Sequence, residues 1–258
     1  MSALRIANLS VALDGRPIIR GATFTVRGGE LVGLIGANSV GKSTLVRAVA
    51  GLIPTAGGEV CWGDRPVVAM SLPERARTLA YMPQGQMFHW NVSVRHIVAL
   101  GRLPHLGPLS RMTDRDRNAI ERAMDRAEVT DLADRSAMEI SGGERSRVLL
   151  ARALAIEAPA LLADEPTAAL DPYHQLHTME LLRSLAAEGQ AVLAVLHDLS
   201  LAARFCDRIV MLHEGRVLAD GPPSEALTAP HVETAYRITV FRSSEGPEAI
   251  VLPWERLT

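Results

Sequence analysis

The segment Gly36-Ala37-Asn38-Ser39-Val40-Gly41-Lys42-Ser43-Thr44 carries the strongest structural signal in the sequence. It fits G-x-x-x-x-G-K-[ST], the pattern of a loop that binds phosphate groups. Residues 31–35 before it form an apolar run typical of a buried parallel strand. Residues 44–50 after it are compatible with a helix that ends at Gly51. This order predicts a phosphate-binding loop between a buried strand and a helix.

The residue types in this segment suit a nucleotide and a magnesium ion. Glycines let the backbone curl and turn its N–H groups inward, and the following helix directs its positive end to the same place. Lys42 can then reach the β- and γ-phosphates, and the Ser43 hydroxyl can hold Mg²⁺. We therefore predict that residues 36–44 bind the phosphates of a nucleotide, which the family resemblance given below implies is ATP.

Composition limits the class of protein. The chain has 258 residues and a formal net charge of −2, so nothing in the bulk charge favours binding to nucleic acid. Its two cysteines, Cys61 and Cys206, are too few for a disulfide framework, and we expect both to be buried. The sequence shows no signal-peptide pattern and no apolar run of about 18 residues. We expect a cytoplasmic protein that meets a membrane only through a partner.

The pattern of the remaining elements predicts an α/β fold. A hairpin turns at Asp14-Gly15 between strands 4–13 and 17–20, another strand covers 23–26, and a capping box at Ser71–Glu74 opens a short helix. Residues 115–127 predict a helix with one apolar face. Further strands are predicted at 79–82, 160–163, 190–196, 208–213 and 216–219, helices at 173–188 and 199–205, and weak strands at 238–241 and 249–252.

We interpret the whole chain as one domain with inserted and appended parts. The core is a parallel sheet flanked by helices, formed by residues 1–86 and 156–227, with an antiparallel β subdomain near its start. Residues 87–155 are predicted to be an inserted α-helical subdomain, and residues 228–258 a C-terminal tail.

Two acidic residues follow a buried strand. Asp164 and Glu165 come directly after the apolar run 160–163. A carboxylate at this position beside a phosphate loop is suited to the second Mg²⁺ contact, which we assign to Asp164. Glu165 is then a candidate base for the attacking water.

Ser141-Gly142-Gly143-Glu144 opens an apolar-periodic stretch. Ser-x-x-Glu is a capping box, so a well-capped structural helix is one interpretation. Two glycines in the first turn cost about 1 kcal/mol each relative to alanine. They are better explained if exposed N–H groups must approach an anion.

Taken together, these motifs resemble the ATP-binding-cassette (ABC) ATPases over nearly the whole chain. Six motifs occur in the order of that family: the phosphate loop, Gln84, residues 140–144, residues 161–165, residues 169–171 and His197. The resemblance implies an α/β P-loop NTPase core with the antiparallel β and inserted α-helical subdomains. It also implies that Gln84 contacts Mg²⁺ and the lytic water, that Glu165 is the catalytic base, and that His197 touches the γ-phosphate.

The resemblance implies a dimer as well. Residues 141–144 would bind the γ-phosphate of ATP held by a second copy, Asp171 would lie at the seam, and two copies would close head-to-tail over two ATP molecules. Stretches at 101–107, 141–154 and 197–207 are similar to ATPases of iron-siderophore, haem and cobalamin importers. The partners implied are a transmembrane permease and, indirectly, a substrate-binding protein, at the cytoplasmic face of the membrane. The alternatives are another importer class, a soluble ABC ATPase and a non-hydrolysing module.

Some positions depart from the family pattern or stay open. Leu13 stands where an adenine-stacking aromatic is usual, Ser39 where glycine is frequent, and Glu144 where glutamine is commoner.

Two further groups of residues have more than one interpretation. The apolar residues Met87, Phe88 and Trp90 either line a permease groove or belong to the core. His174 and His177 are assigned to an exposed helix face rather than to a metal site.

Overall fold

The computed structural model describes residues 2–85, 87–107, 110–243 and 250–257. Its strands are β1 (Ala3–Leu13), β2 (Arg16–Arg27), β3 (Glu30–Ile35), β4 (Gly57–Trp62), β5 (Arg65–Pro66), β6 (Leu79–Met82), β7 (Ala160–Asp164), β8 (Ala191–Val195), β9 (Arg208–His213), β10 (Arg216–Gly221), β11 (Ile238–Ser243) and β12 (Ile250–Arg256). Its α-helices are α1 (Lys42–Val49), α2 (Leu72–Thr78), α3 (Val94–Ala99), α4 (Asp114–Arg126), α5 (Gly142–Leu154), α6 (Pro172–Ala187), α7 (Leu199–Phe205), α8 (Pro223–Ala226) and α9 (Ala229–Tyr236).

A six-stranded sheet in the order β10-β9-β3-β8-β7-β6 forms the centre of the molecule. All neighbouring pairs are parallel except β9 with β10. Leu34 of β3 and Asp164 of β7 both pair with Val195 of β8, so the three strands end at one level. The loops that follow β3, β7 and β8 therefore meet at one edge of the sheet, as expected for a ligand site in a parallel sheet.

Both faces of this sheet are covered. Along β3, Leu31 and Ile35 belong to one buried cluster, whereas Val32 and Leu34 belong to another. The alternation follows from the two-residue period of a strand, and the continuous apolar run follows from burial on both sides. One face packs against α5, α6 and α7, and the other against α1 and the antiparallel sheet.

The antiparallel sheet has the order β2-β1-β4-β5. The turn at Asp14 and Gly15 is confirmed, with φ of 49° and 76°. The prediction of two strands at 17–20 and 23–26 was wrong, because β2 continues through Gly21. Gly21 takes a φ of 73° and donates its N–H to the Ser10 hydroxyl over 3.0 Å, so the glycine marks an irregularity in the strand rather than its end.

The helices α3, α4 and α5 share a third apolar cluster. Ile120, Ala123, Met124 and Ala127 are buried in it, which confirms the predicted apolar face of α4. The capping box predicted at α2 was wrong. The Ser71 side chain makes no capping bond, and Glu74 pairs with Arg65 instead.

The segment after β10 is more regular than its sequence suggested. It forms α8, α9 and the hairpin of β11 and β12. The weak strand predictions at 238–241 and 250–252 are confirmed, and Ala249 lies outside the described residues.

Candidate functional site

The phosphate loop connects β3 to α1 in the predicted order. Gly36, Ser39 and Gly41 have φ of 147°, 64° and 104°. Ser39 therefore has the positive φ that explains why glycine is frequent at this position, and it carries some backbone strain. Gly41 is the N-cap of α1, and within the described residues no side chain caps this helix. Its first N–H groups are thus available to an anion.

Lys42 is folded back onto the loop. Its ammonium donates to the carbonyl oxygens of Gly36 and Ala37, at 2.7 and 3.0 Å. The residue is buried, and burial lowers its pKa, although Glu165 and Asp164 oppose the shift. Two of its three N–H donors are used in these bonds, so the buried cation retains a donor for a phosphate oxygen.

Ser43 and Asp164 meet as a pair. The Ser43 hydroxyl donates to Asp164 Oδ1 over 2.9 Å, and Asp164 is fully buried. Burial raises the pKa of the Asp164 carboxyl. Two hard oxygen ligands side by side at a phosphate loop suit Mg²⁺.

Tyr81 is a member of this site that the sequence analysis missed. Its hydroxyl lies 3.4 Å from Asp164 Oδ2 and accepts from Arg47 Nε over 3.4 Å. The available signal was a tyrosine inside the buried strand β6, since a buried tyrosine hydroxyl usually has a polar partner. The parallel pairing of Tyr81 with Leu162 in β7 brings it near the end of that strand.

Glu165 contacts both Gln84 and His197, the two other residues predicted to be catalytic. Gln84 Nε2 donates to Glu165 Oε2 over 2.5 Å, and His197 Nε2 lies 2.6 Å from Glu165 Oε1. Glu165 has a φ of 54°, a left-handed conformation that is costly for this residue type. This conformation follows β7 directly, so the chain places Asp164 and Glu165 in different surroundings.

These residues surround a cavity of about 640 Å³. Six of the nine loop residues predicted for the site are among the described lining residues, whereas Gly36, Ala37 and Val40 are not. The described residues that line it are Ile18, Asn38, Ser39, Gly41, Lys42, Ser43, Thr44, Gln84, Glu165 and His197. Ile18 was missed, and it lies against the loop, because a Cβ at Gly41 would come within 2.9 Å of Ile18 Cγ2. Leu13 is 42% exposed at the end of β1.

The segment 141–144 lies outside the described lining of this cavity. Ser141 and Glu144 form the predicted capping box at the start of α5. Glu144 also pairs with Arg135 over 3.0 Å, and its pKa is lowered, first by the Ser141 N–H. A Cβ on Gly143 would lie 3.1 Å from the Ala169 carbonyl, so close packing is a second reason for glycine here.

Asp171 also lies outside the cavity lining of the described chain. It is the N-cap of α6 and accepts from the His174 N–H over 2.9 Å. This bond and the His174 ring lower the pKa of the Asp171 carboxyl. One chain therefore brings together the loop, Gln84, Asp164, Glu165 and His197, but not the segment 141–144 or Asp171.

The remaining residues singled out from the sequence differ in how far they are exposed to solvent. Met87 and Trp90 are 60% and 74% exposed, whereas Phe88 packs against two apolar clusters. His174 and His177 are half-buried rather than exposed; His177 Nε2 contacts the Arg126 carbonyl at 3.1 Å.

Cys61 and Cys206 are buried as expected. Within the described ranges, no group of three or more histidine, cysteine, aspartate or glutamate residues is placed to hold a metal ion by itself. No helix in the part of the chain that the structure describes is long and apolar enough to cross a membrane.

The comparison with protein families shows the family of this chain. The family model described as "ABC transporter" matches residues 19–168. The chain belongs to the ABC transporter family. The match includes the phosphate loop, the segment 141–144 and the acidic pair at the end of β7.

Relatives within the ABC transporter family include two classes of import protein. The hemin import ATP-binding protein HmuV of Streptomyces coelicolor is 43% identical over 95% of this chain and 88% of its own length. The cobalamin import ATP-binding protein BtuD of Halobacterium salinarum is 46% identical over 90% of this chain. The chain spans 58% of the length of that BtuD.

A solved structure shows the same fold. It is titled an inward-facing conformation of a putative metal-chelate type ABC transporter, and it matches with a TM-score of 0.84. The match covers 98% of this chain and 97% of the other, at 24% identity. The fold of this chain is thus that of an ABC cassette: an α/β core with an antiparallel sheet and a group of helices between β6 and β7.

Proposed function

We propose that this protein is the ATP-hydrolysing subunit of an importer for a metal chelate, with an iron-siderophore or haem as the first candidate cargo. The observation that carries the proposal is the position of Gln84, Glu165 and His197 on one cavity with the phosphate loop. The two relatives described above are import proteins for haem and cobalamin, which supports an importer and leaves cobalamin as the alternative cargo.

The chemistry is proposed to be attack of water on the γ-phosphate of ATP. Glu165 takes the proton of the water, since its carboxylate is held by Gln84 and His197 at 2.5 and 2.6 Å. Lys42 and the free N–H groups at the start of α1 bind the phosphates. Ser43, Asp164 and Gln84 would hold Mg²⁺, which neutralises charge on the phosphate oxygens when bound.

The proposed working unit is a head-to-tail dimer. Within one chain, Ser141 and Asp171 lie outside the described lining of the phosphate cavity. In a dimer, residues 141–144 of one copy would close over the ATP held by the other, and Asp171 would lie at the seam. The start of α5 is suited to this role because Gly142 and Gly143 carry no side chains that would cover their own N–H groups, although the Ser141 hydroxyl accepts from the Glu144 N–H.

The proposed location is the cytoplasmic face of the membrane, where a permease would hold the dimer. The exposed Trp90 and Met87 are candidates for the contact with the permease. A substrate-binding protein would act on the other side of the permease and would not touch this chain. No contact with nucleic acid is proposed.

A pull-down from native membranes tests the importer assignment. Tagged Glu165→Gln, incubated with MgATP, should remain closed on its partner because ATP is bound and not hydrolysed. Recovery of a multi-spanning permease supports the proposal, and the proteins recovered with it would indicate the cargo. Recovery of ribosomal or DNA-repair proteins from the soluble fraction would contradict transport. Exposed Glu180→Gln on α6 is the matched control for the tag and the substitution.

A further inference from the structure

The helix α9 ends beside the phosphate loop, although it comes about 190 residues later in the chain. Val232 and Ala235 are buried in the cluster on one face of the central sheet, and Tyr236 packs against the same cluster. Arg237 follows with a φ of 55°, which ends the helix and turns the chain into β11. Tyr236 is thus held at the C-terminal end of a docked helix.

The Tyr236 hydroxyl accepts a hydrogen bond from the N–H of Gly36 over 2.8 Å. Gly36 is the first residue of the phosphate loop and has a φ of 147°. A Cβ on Gly36 would lie 2.5 Å from the Leu212 carbonyl, so the backbone here is closely packed as well. The turn into the loop therefore has a conformation that suits glycine, with its N–H directed at the tyrosine.

Gly36 is held on its other side by Lys42, whose ammonium donates to the Gly36 carbonyl over 2.7 Å. In the phosphate-loop pattern this lysine reaches the β- and γ-phosphates of the nucleotide. The ammonium has three N–H donors, so two can stay on the Gly36 and Ala37 carbonyls while the third reaches a phosphate oxygen. The Gly36 N–H is bonded to Tyr236 and not to phosphate, so this bond can persist with and without bound nucleotide.

We propose that Tyr236 is a positioning residue of the nucleotide site: its hydroxyl fixes the turn at Gly36 and so keeps the phosphate loop shaped for the triphosphate. The proposal rests on the proposed function as an ATPase. Tyr236 is not among the described residues that line the cavity, so it acts through Gly36 rather than by touching the nucleotide.

The surroundings of Tyr236 suit a fixed acceptor. Burial raises the pKa of its hydroxyl, which therefore stays a neutral O–H group. The hairpin after α9 is anchored, because the Ser200 hydroxyl donates to the carbonyl of the buried Val251 over 2.9 Å. Leu257 N–H donates to the Arg237 carbonyl over 2.9 Å, which ties the end of β12 to the end of α9. A rigid support of this kind is what precise positioning requires.

The test compares Tyr236→Phe with Thr234→Val on the same helix. Phenylalanine keeps the ring packing and removes only the acceptor, so the variant should fold. The Thr234 hydroxyl bonds only to the Pro230 carbonyl among the contacts described, so its loss should not affect the loop. The measurements are the Kd for a fluorescent ATP analogue, the KM and kcat for ATP hydrolysis, and the melting temperature without nucleotide.

We expect Tyr236→Phe to raise the Kd and the KM by a factor of about 3–10, the range for loss of one hydrogen bond. The kcat should stay within about twofold, because the groups at Glu165 are unchanged. Thr234→Val should leave all values unchanged. An unchanged Kd with a lower melting temperature would assign Tyr236 to folding stability alone and overturn the proposal. A wild-type protein that binds no ATP analogue would instead contradict the proposed function.

Discussion

Glu165 Oε1 lies 2.6 Å from His197 Nε2, and both side chains face the cavity above the phosphate loop. The two residues come from the ends of β7 and β8, which pair in parallel. The contact is therefore a direct product of the sheet order. It leaves the second oxygen of Glu165 to Gln84, so that the carboxylate is oriented from two sides.

Glu165→Gln should abolish most ATP hydrolysis and leave ATP binding intact. The amide retains the shape of the side chain but cannot accept the proton from water, and loss of a general base typically costs about 10²–10⁴-fold in rate. Phosphate release at saturating MgATP measures the effect. Glu180→Gln, on the exposed face of α6, should hydrolyse ATP at the wild-type rate. A Glu165→Gln rate within about tenfold of wild type would show that another group is the base.

Arg102→Met should destabilise the fold strongly. Arg102 is 2% exposed and bonds to Asp116, Glu157 and the Ala155 carbonyl at 2.7–2.9 Å. Removing one partner of a buried ion pair leaves an uncompensated charge and costs about 3–5 kcal/mol. Urea unfolding measures the change.

The exposed pair of Arg117 with Asp114 offers the control for Arg102. Both partners are open to solvent, so Arg117→Met should cost at most about 0.5 kcal/mol. Equal losses for Arg102→Met and Arg117→Met would show that burial does not decide the contribution of the arginine.

Asp116 should make stability fall in acid. Hydrogen bonds from Thr113, followed by the effect of Arg102, lower the pKa of this carboxyl to about 2. Because the folded-state pKa lies below the unfolded value, the stabilisation is complete above about pH 4 and is lost as the pH falls toward 2. The difference in free energy of unfolding between wild type and Asp116→Asn should shrink over this interval. A difference that stays constant between pH 5 and pH 2.5 would refute the assignment.

Trp90→Ser and Phe88→Ser should separate partner binding from folding. Trp90 is 74% exposed, so its replacement should leave the melting temperature and ATP binding unchanged while weakening recovery of the permease from native membranes. Phe88 packs against two apolar clusters, so its replacement should lower the melting temperature. If Trp90→Ser fails to fold, Trp90 is a residue of the core and not of a contact surface. Trp90→Ser that recovers the permease fully would remove it from the contact surface.

The sequence predicted the parts of the site that are contiguous or that follow buried strands. The phosphate loop, Asp164 and Glu165 are recognisable because a short sequence motif or an adjacent apolar run specifies them. Gln84 and His197 depended on the resemblance to a family. The structure places Gln84, Glu165, His197 and six of the nine loop residues on one cavity. Asp164 is not among the described lining residues and joins the site through its bond with Ser43.

The features that were missed depend on contacts across the fold. Tyr81, Ile18 and Tyr236 reach the site from a neighbouring strand, from the antiparallel sheet and from the C-terminal helix. Nothing in their local sequence identifies the partner, because the pairing of β6 with β7 and the docking of α9 are set by tertiary packing. The failed capping box at Ser71 has the same origin, since Arg65 attracts Glu74 from outside the helix.

The most direct test of the ATPase account is the mass of Glu165→Gln in solution, measured by light scattering with and without MgATP. A site completed by residues 141–144 of a second copy predicts one chain per particle without nucleotide and two with MgATP. Adding Ser141→Arg to Glu165→Gln should prevent the doubling, because a large side chain would block the start of α5. A particle mass that does not respond to MgATP would contradict the head-to-tail dimer on which the proposed hydrolysis depends.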